Sequence, residues 1–208
     1  APKADVMFGG GVESLESYQD CFSPYICREA AGISEQFQAE SGYWTPFSAL
    51  PVVLVYNTKL VAPESLTSWK DLESPAFRGK IAFADPQISG SSYTALVTRL
   101  QTGCGMEDSL TRLGTALDGK QLDSSGAVLT AVADGSALVG ITLEETALQH
   151  IAAGEDIALV YPSDGTSCVP DGSALVKGAP HGDNARLFLD FTVSTDVQSM
   201  VGQRFCRR

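Results

Sequence analysis

The stretch that most constrains the fold is 79–100, GKIAFADPQISGSSYTALVTRL. Residues 80–84 are an apolar run of strand length, and Asp85-Pro86 closes it. Ser89-Gly90-Ser91-Ser92 then opens a run in which Tyr93, Leu96, Val97 and Leu100 recur at helical spacing. The reading is strand, turn, helix. A helix start leaves backbone N–H groups without partners inside the helix, and small hydroxyls beside them add donors without filling the space. These serines therefore read in two ways, as an anion site or as a plain helix cap.

A second unit of the same kind opens the chain: 5–8 reads as a strand, Gly9-Gly10-Gly11 as a turn and 12–18 as a helix. The turn is either a plain tight turn or one that faces a ligand. It lacks the spacing of a nucleotide-binding loop and the Lys-Ser or Lys-Thr that would follow one. Residues 20–42 show little periodicity, with one helix expected near 33–40. Residues 51–57, PVVLVYN, are nearly unbroken β-branched and apolar sequence, the pattern of a strand covered on both faces.

Trp69, within SWKDL, reads as a core anchor, and Leu110, Leu113 and Leu117 form an apolar stripe. A helix is expected over 126–133 with Ser124 or Ser125 at its start, a strand over 137–141, and a helix from 142 to about 152. Strands follow at 157–161 and 174–176, with amphipathic helices at 184–191 and 197–205. This alternation argues for an α/β fold with mainly parallel strands. The chain crosses between compact regions near 44–57 and 159–166, as two lobes joined by hinges would require.

Composition removes several function classes. The net charge is −11, with 25 acidic against 14 basic residues, and Arg204, Arg207 and Arg208 form the only dense cationic cluster. A nucleic-acid surface needs a basic footprint, so no nucleic-acid partner is expected. A small anion remains open, because donors at a cleft decide its binding rather than the global charge. Cys21, Cys27, Cys104, Cys168 and Cys206 are too scattered for a zinc site, and only His150 and His181 could help. No metal or cofactor is expected.

Cys21 and Cys27 would close a small loop in an oxidising compartment, and the odd count leaves one thiol over unless it pairs between chains. No apolar stretch reaches membrane-spanning length. Ala1-Pro2-Lys3 leads into folded-looking sequence, so any targeting segment is expected to have been removed or to lie outside these residues. Catalysis finds little footing. No Gly-x-Ser-x-Gly elbow occurs and both histidines read as structural or solvent-facing, while Asp85, Asp123, Glu144 and Asp164 sit at element ends where carboxylates could do general acid-base work.

The blocks at 5–11, 44–61, 68–96, 139–145 and 161–191 together resemble the extracellular solute-binding proteins of ABC importers, in the branch that contains ferric-ion-binding and hexose-phosphate or phosphonate-binding proteins. The resemblance implies a non-catalytic, periplasmic-binding-protein-like α/β fold. It implies one complete parallel or mixed-sheet lobe over 58–159 and an incomplete first lobe from 1–57 and 160–208, so that the chain looks like an internal portion of a longer protein. A sheet without its neighbours would leave an apolar face that missing chain or a second copy, as a homodimer, would cover.

The ligand implied is a small anionic solute, a sugar phosphate or related organophosphate. The resemblance puts Ser89, Gly90, Ser91 and Ser92 at the ligand-facing start of a second-lobe helix. Ser124, Ser125, Thr142 and Glu144 face the same edge, and Asp164, Gly165 and Thr166 come from the crossover, with Asp164 suited to sugar hydroxyls. Hinge closure would bring Gly9, Gly10, Gly11 and Trp44 toward exposed serine hydroxyls. Ferric ion is the family alternative. It looks for adjacent tyrosines, yet 122–145 contains none, leaving Tyr93 and Tyr161 as isolated candidates. The partner implied is an ABC permease and the location periplasmic or extracellular, with or without a membrane anchor. The ligand-sensing domain of a membrane receptor is a further alternative.

Overall fold

The computed structural model describes residues 2–102 and 106–207. Two compact units divide the chain, Ala1–Leu50 with Val169–Arg208, and Pro51–Cys168. In chain order the first unit supplies β1 (Val6–Gly11), α1 (Val12–Ser17) and β2 (Phe22–Ser23), and β3 (Thr45–Asn57) carries the chain into the second. There follow β4 (Ile81–Ala82), α2 (Gly90–Thr102), α3 (Met106–Leu117), α4 (Ser125–Ala133), β5 (Val139–Leu143), α5 (Glu144–Ala152) and β6 (Ile157–Val160). β7 (Cys168–Val176) returns to the first unit, which ends with α6 (Gly182–Thr192) and α7 (Thr195–Phe205).

In the second unit β4 runs parallel to β5, with Ala82 opposite Gly140, and Ala84 bridges Leu122 in the same sense. β3 is antiparallel to both β5 and β6, pairing Leu54 with Ile141 and with Val160. The sheet is therefore mixed rather than mainly parallel. β3 enters as the connection from the other unit and not through a strand-helix-strand crossover, so the direction that such a crossover enforces does not apply to it.

Alternation along β3 feeds two cores. Val52, Leu54 and Tyr56 pack with Trp69, Phe83 and Ile141 on one face, while Val53 and Val55 pack with Val128, Leu129, Val132 and Ala147 on the other. Val52, Val53, Leu54 and Val55 are each 0% exposed, so both faces are covered, as the apolar run predicts. Each such side chain contributes about 1.5–3 kcal/mol of burial free energy. α4 lies close on β5 at Gly140, where a Cβ would fall 2.9 Å from Val128 Cγ1.

In the first unit β1 and β2 both pair antiparallel with β7, Val6 and Ser23 each opposite Leu175. The register slips between Phe8 and Gly11, where Gly9 and Gly10 take φ of 76° and 146°. Leu15, Phe22, Trp44 and Ala174 form one core, and Cys27, Leu175, Ala185, Leu189 and Val193 another. The helix expected near 33–40 is instead a 3-10 turn, Glu35–Phe37, in a segment without an amphipathic face to hold a longer helix. Cys21 and Cys27 are both free, and Cys27 is buried with its Sγ 3.4 Å from Thr45 Oγ1. Cys104 lies outside the described residues.

Candidate functional site

Three parallel segments of the second unit, 81–84, Leu122 and β5, point their C-terminal ends the same way, and after each the chain turns into α2, α4 and α5 respectively. The starts of those helices therefore gather at one edge of the sheet, the side where open α/β sheets take ligands. Ser89–Ser92, Ser124–Ser125 and Thr142–Glu144 share that edge by topology alone.

At the α2 start, Asp85 shapes the turn: its Oδ1 accepts the Gln87 N–H at 2.8 Å and its carbonyl accepts the Ser89 N–H at 3.0 Å. Ser89 Oγ accepts the Ser92 N–H at 3.3 Å and lies 3.1 Å from Ser91 Oγ. Ser89 is thus the cap, and the plain reading holds for it. Ser92 is only 4% exposed, which corrects the expectation that its hydroxyl faces outward; the helix turns that side chain into the unit. Ser91 is half-buried. A Cβ at Gly90 would meet nothing within 4 Å, so the chain leaves its own backbone uncovered there.

Ser124 caps α4, its Oγ accepting the Ala127 N–H at 3.3 Å, and Ser125 is half-buried beside it. Thr142 is buried near the end of β5. Glu144, the first residue of α5, is 1% exposed and accepts a hydrogen bond from the Tyr161 hydroxyl. A carboxylate at that position is favoured by the positive end of the helix.

The crossover residues have a different fate. Asp164 accepts the backbone N–H groups of Trp69 and Lys70, at 3.0 and 3.4 Å. The Gly165 carbonyl accepts the Trp69 indole N–H at 2.9 Å, and Thr166 Oγ1 donates to the Val52 carbonyl at 2.6 Å. Asp164 and Gly165 thus clamp Trp69, which is 0% exposed, at the head of the 3-10 helix Trp69–Glu73. Asp71 caps the same helix. Burial pushes its carboxyl up, but hydrogen bonds from Thr67 and Ser68 outweigh this and hold it below the ordinary 3.8. Sequence reasoning missed this clamp, since nothing local marks Asp164 and Trp69 as partners.

In the first unit, Gly10 has a positive φ and a Cβ there would fall 2.9 Å from Met7 Cε, so the backbone itself demands glycine; Gly11 ends the bulged strand. Trp44 is 5% exposed, donates its indole N–H to Glu16 Oε1 at 2.5 Å, and presses on Gly172, where a Cβ would lie 2.6 Å from its ring. It is a core anchor of its own unit. A cavity of about 280 Å³ beside it is lined by Tyr25, Ile33, Gln38 and Ser41 among others. A larger one of about 420 Å³, in the second unit, is lined by Leu60, Asp71, Phe77 and Leu138. Of the expected site residues only Trp44 borders either cavity.

His150 Nδ1 lies 2.7 Å from Glu155 Oε2 and His181 Nδ1 3.0 Å from Asp5 Oδ2, both as side-chain hydrogen bonds. Bonds from His181 hold the Asp5 carboxyl below its ordinary range, and burial pushes the Cys27 thiol up. Among the described residues no group of three or more His, Cys, Asp or Glu could hold a metal ion.

Residues 3–205 match the family model described as bacterial extracellular solute-binding protein. An uncharacterized protein of Haemophilus influenzae is 32% identical over 96% of this chain and 61% of that one. Iron uptake protein A1 of Synechocystis is 26% identical over 82% and 51%. A "Probable ABC transporter periplasmic-binding protein" of Sinorhizobium fredii is 25% identical over 98% and 60%. The chain thus spans about half to three-fifths of the length of these relatives.

The periplasmic binding protein AfuA of Actinobacillus pleuropneumoniae, solved with fructose-6-phosphate, superposes with a TM-score of 0.88 at 26% identity, over 99% of this chain and 68% of that one. Iron-bound HitA of Pseudomonas aeruginosa and the ferric binding protein of Campylobacter jejuni, 20% and 16% identical, share the fold. The family is one of binders rather than catalysts, in line with the non-enzyme expectation. The chain belongs to the bacterial extracellular solute-binding proteins, in the branch that spans ferric-ion and sugar-phosphate homologues.

Proposed function

We propose that the protein binds a small solute outside the cytoplasm and delivers it to an ABC permease. The solute we assign is anionic, a phosphorylated sugar or related organophosphate held at the α2 start. The observation that carries this reading is the gathering of the α2, α4 and α5 starts at one sheet edge, with the Gly90 backbone uncovered and Ser91 beside it. Backbone N–H groups and the helix dipole suit a phosphate there. The likeness to AfuA, solved with a sugar phosphate, supports it.

Ferric ion is the second reading. The Tyr161 hydroxyl bonded to Glu144, with Tyr93 47% exposed in the first turn of α2, offers hard oxygen donors on the same unit. More of the similar proteins carry iron in their names than a sugar phosphate, so the comparisons favour this second reading while the α2 geometry favours the first.

Titration calorimetry with glucose 6-phosphate and inorganic phosphate, alongside absorbance on adding chelated ferric ion, separates them. Saturable heat with the sugar phosphate is expected. A strong visible charge-transfer band without that heat assigns ferric ion instead, and neither signal overturns both readings.

A further inference from the structure

The Thr98 side chain is 2% exposed near the C-terminal end of α2, and its Oγ1 lies 2.8 Å from the Thr94 carbonyl and 2.5 Å from Ser167 Oγ. A threonine hydroxyl has one proton, and a carbonyl can only accept, so Thr98 donates to Thr94 and Ser167 donates to Thr98. Ser167 is itself fixed: its carbonyl accepts the Val52 N–H at 3.1 Å, and Thr166 returns a bond to the Val52 carbonyl. One helical turn further, at Thr102, the methyl would lie 3.3 Å from a Cβ on Gly165. The connecting segment therefore runs against one face of α2 at two successive turns, close enough at Gly165 that an added Cβ would meet Thr102, and bonded at Ser167 to Thr98.

Packed apolar surfaces tolerate small slides, whereas a hydrogen bond is directional and weakens steeply as its partners shift. We infer that Ser167 and Thr98 form a positioning pair, which sets the height of α2 against the clamped connection and thereby the place of Ser91 and the Gly90 backbone at its far end. This inference rests on the α2 start being the solute site. Ser167 does not touch the solute; it acts through the helix.

The test replaces Ser167→Ala, which leaves Thr98 bonded to Thr94 and strands no buried donor, with Ser167→Thr as the variant that keeps the hydroxyl. Amide hydrogen exchange at Ser92 and Tyr93 is measured in unliganded protein, and glucose 6-phosphate affinity in a cycle with Ser91→Ala. Ser167→Ala is expected to speed exchange at both amides and to weaken affinity about tenfold, an effect that shrinks once Ser91 is gone and only the backbone N–H groups remain to be misplaced, with Ser167→Thr restoring both. Unchanged exchange at the α2 start, or affinity losses that simply add, overturns the positioning role and leaves the site reading intact. Faster exchange in a protein that binds no sugar phosphate instead overturns the solute reading and keeps the mechanical coupling.

Discussion

The α2 start, Ser89-Gly90-Ser91-Ser92, and the crossover turn, Asp164-Gly165-Thr166, look alike in sequence: short, polar, glycine-bearing turns between apolar elements. Within one unit they have opposite fates. Each of the three crossover residues bonds its own chain, at Trp69, Lys70 or Val52. At α2 only Ser89 is spent on capping, while among the described residues Ser91 bonds no more than the Ser89 hydroxyl and the Gly90 backbone is left beside open space. A polar turn becomes a ligand candidate when its hydrogen-bonding capacity exceeds what its own chain consumes, and that surplus separates the two.

The largest effect expected on this contrast comes from Asp164→Ala. It leaves the Trp69 and Lys70 N–H groups without their carboxylate and should lower unfolding free energy by about 1.5–3 kcal/mol, the range for charge-assisted bonds. Sugar-phosphate affinity of the protein that remains folded should stay within about twofold. Denaturant unfolding with calorimetry checks both, and a stable variant that has lost affinity would reverse the contrast.

Ser89→Ala comes next. Loss of the α2 cap should cost about 1 kcal/mol of stability, and because the cap also orients the first turn, affinity should fall with it. Ser124→Ala removes an equivalent but exposed cap from α4. Its stability cost should be at most about 1 kcal/mol, measurable in the same unfolding experiment. A change in affinity without that cost would move the solute toward α4.

The smallest effect concerns acid. Asp71 has a folded pKa below its unfolded value of 3.8. Its contribution is therefore full above that value and is lost as pH falls through the lower, folded one. Unfolding midpoints between about pH 5 and pH 3 should decline less steeply in Asp71→Asn than in the wild type. An identical slope would remove Asp71 as a cap of the 3-10 helix Trp69–Glu73.

What could be read from sequence was local. The apolar run of β3, the strand-turn-helix at 80–100, and Ser124 as a helix cap each depend on neighbours a few residues away, and each stands in the structure. The partners that decide the site were not legible, because they are distant in sequence: Asp164 with Trp69, Thr98 with Ser167, Trp44 against Gly172. Trp44 stayed open between a ligand-facing aromatic and a core seal for the same reason. Only the bulk of its ring against a glycine 128 positions away shows it to be core. The sequence left the sheet parallel or mixed, and the antiparallel course of β3 that makes it mixed follows from its role as a connection between units rather than from any residue in it.

The central claim is that the α2 start retains donors for a solute, and Ser91→Ala tests it most directly. Calorimetry with glucose 6-phosphate, paired with denaturant unfolding, is the measurement. Affinity should weaken by about 1.5–3 kcal/mol, since a bond to a charged phosphate is lost. Stability should move by less than about 0.5 kcal/mol, because the bond lost is the one to Ser89 Oγ, and that hydroxyl still accepts the Ser92 N–H. Unchanged affinity, or a stability loss as large as that of Ser89→Ala, would show that Ser91 serves the fold and that the solute lies elsewhere.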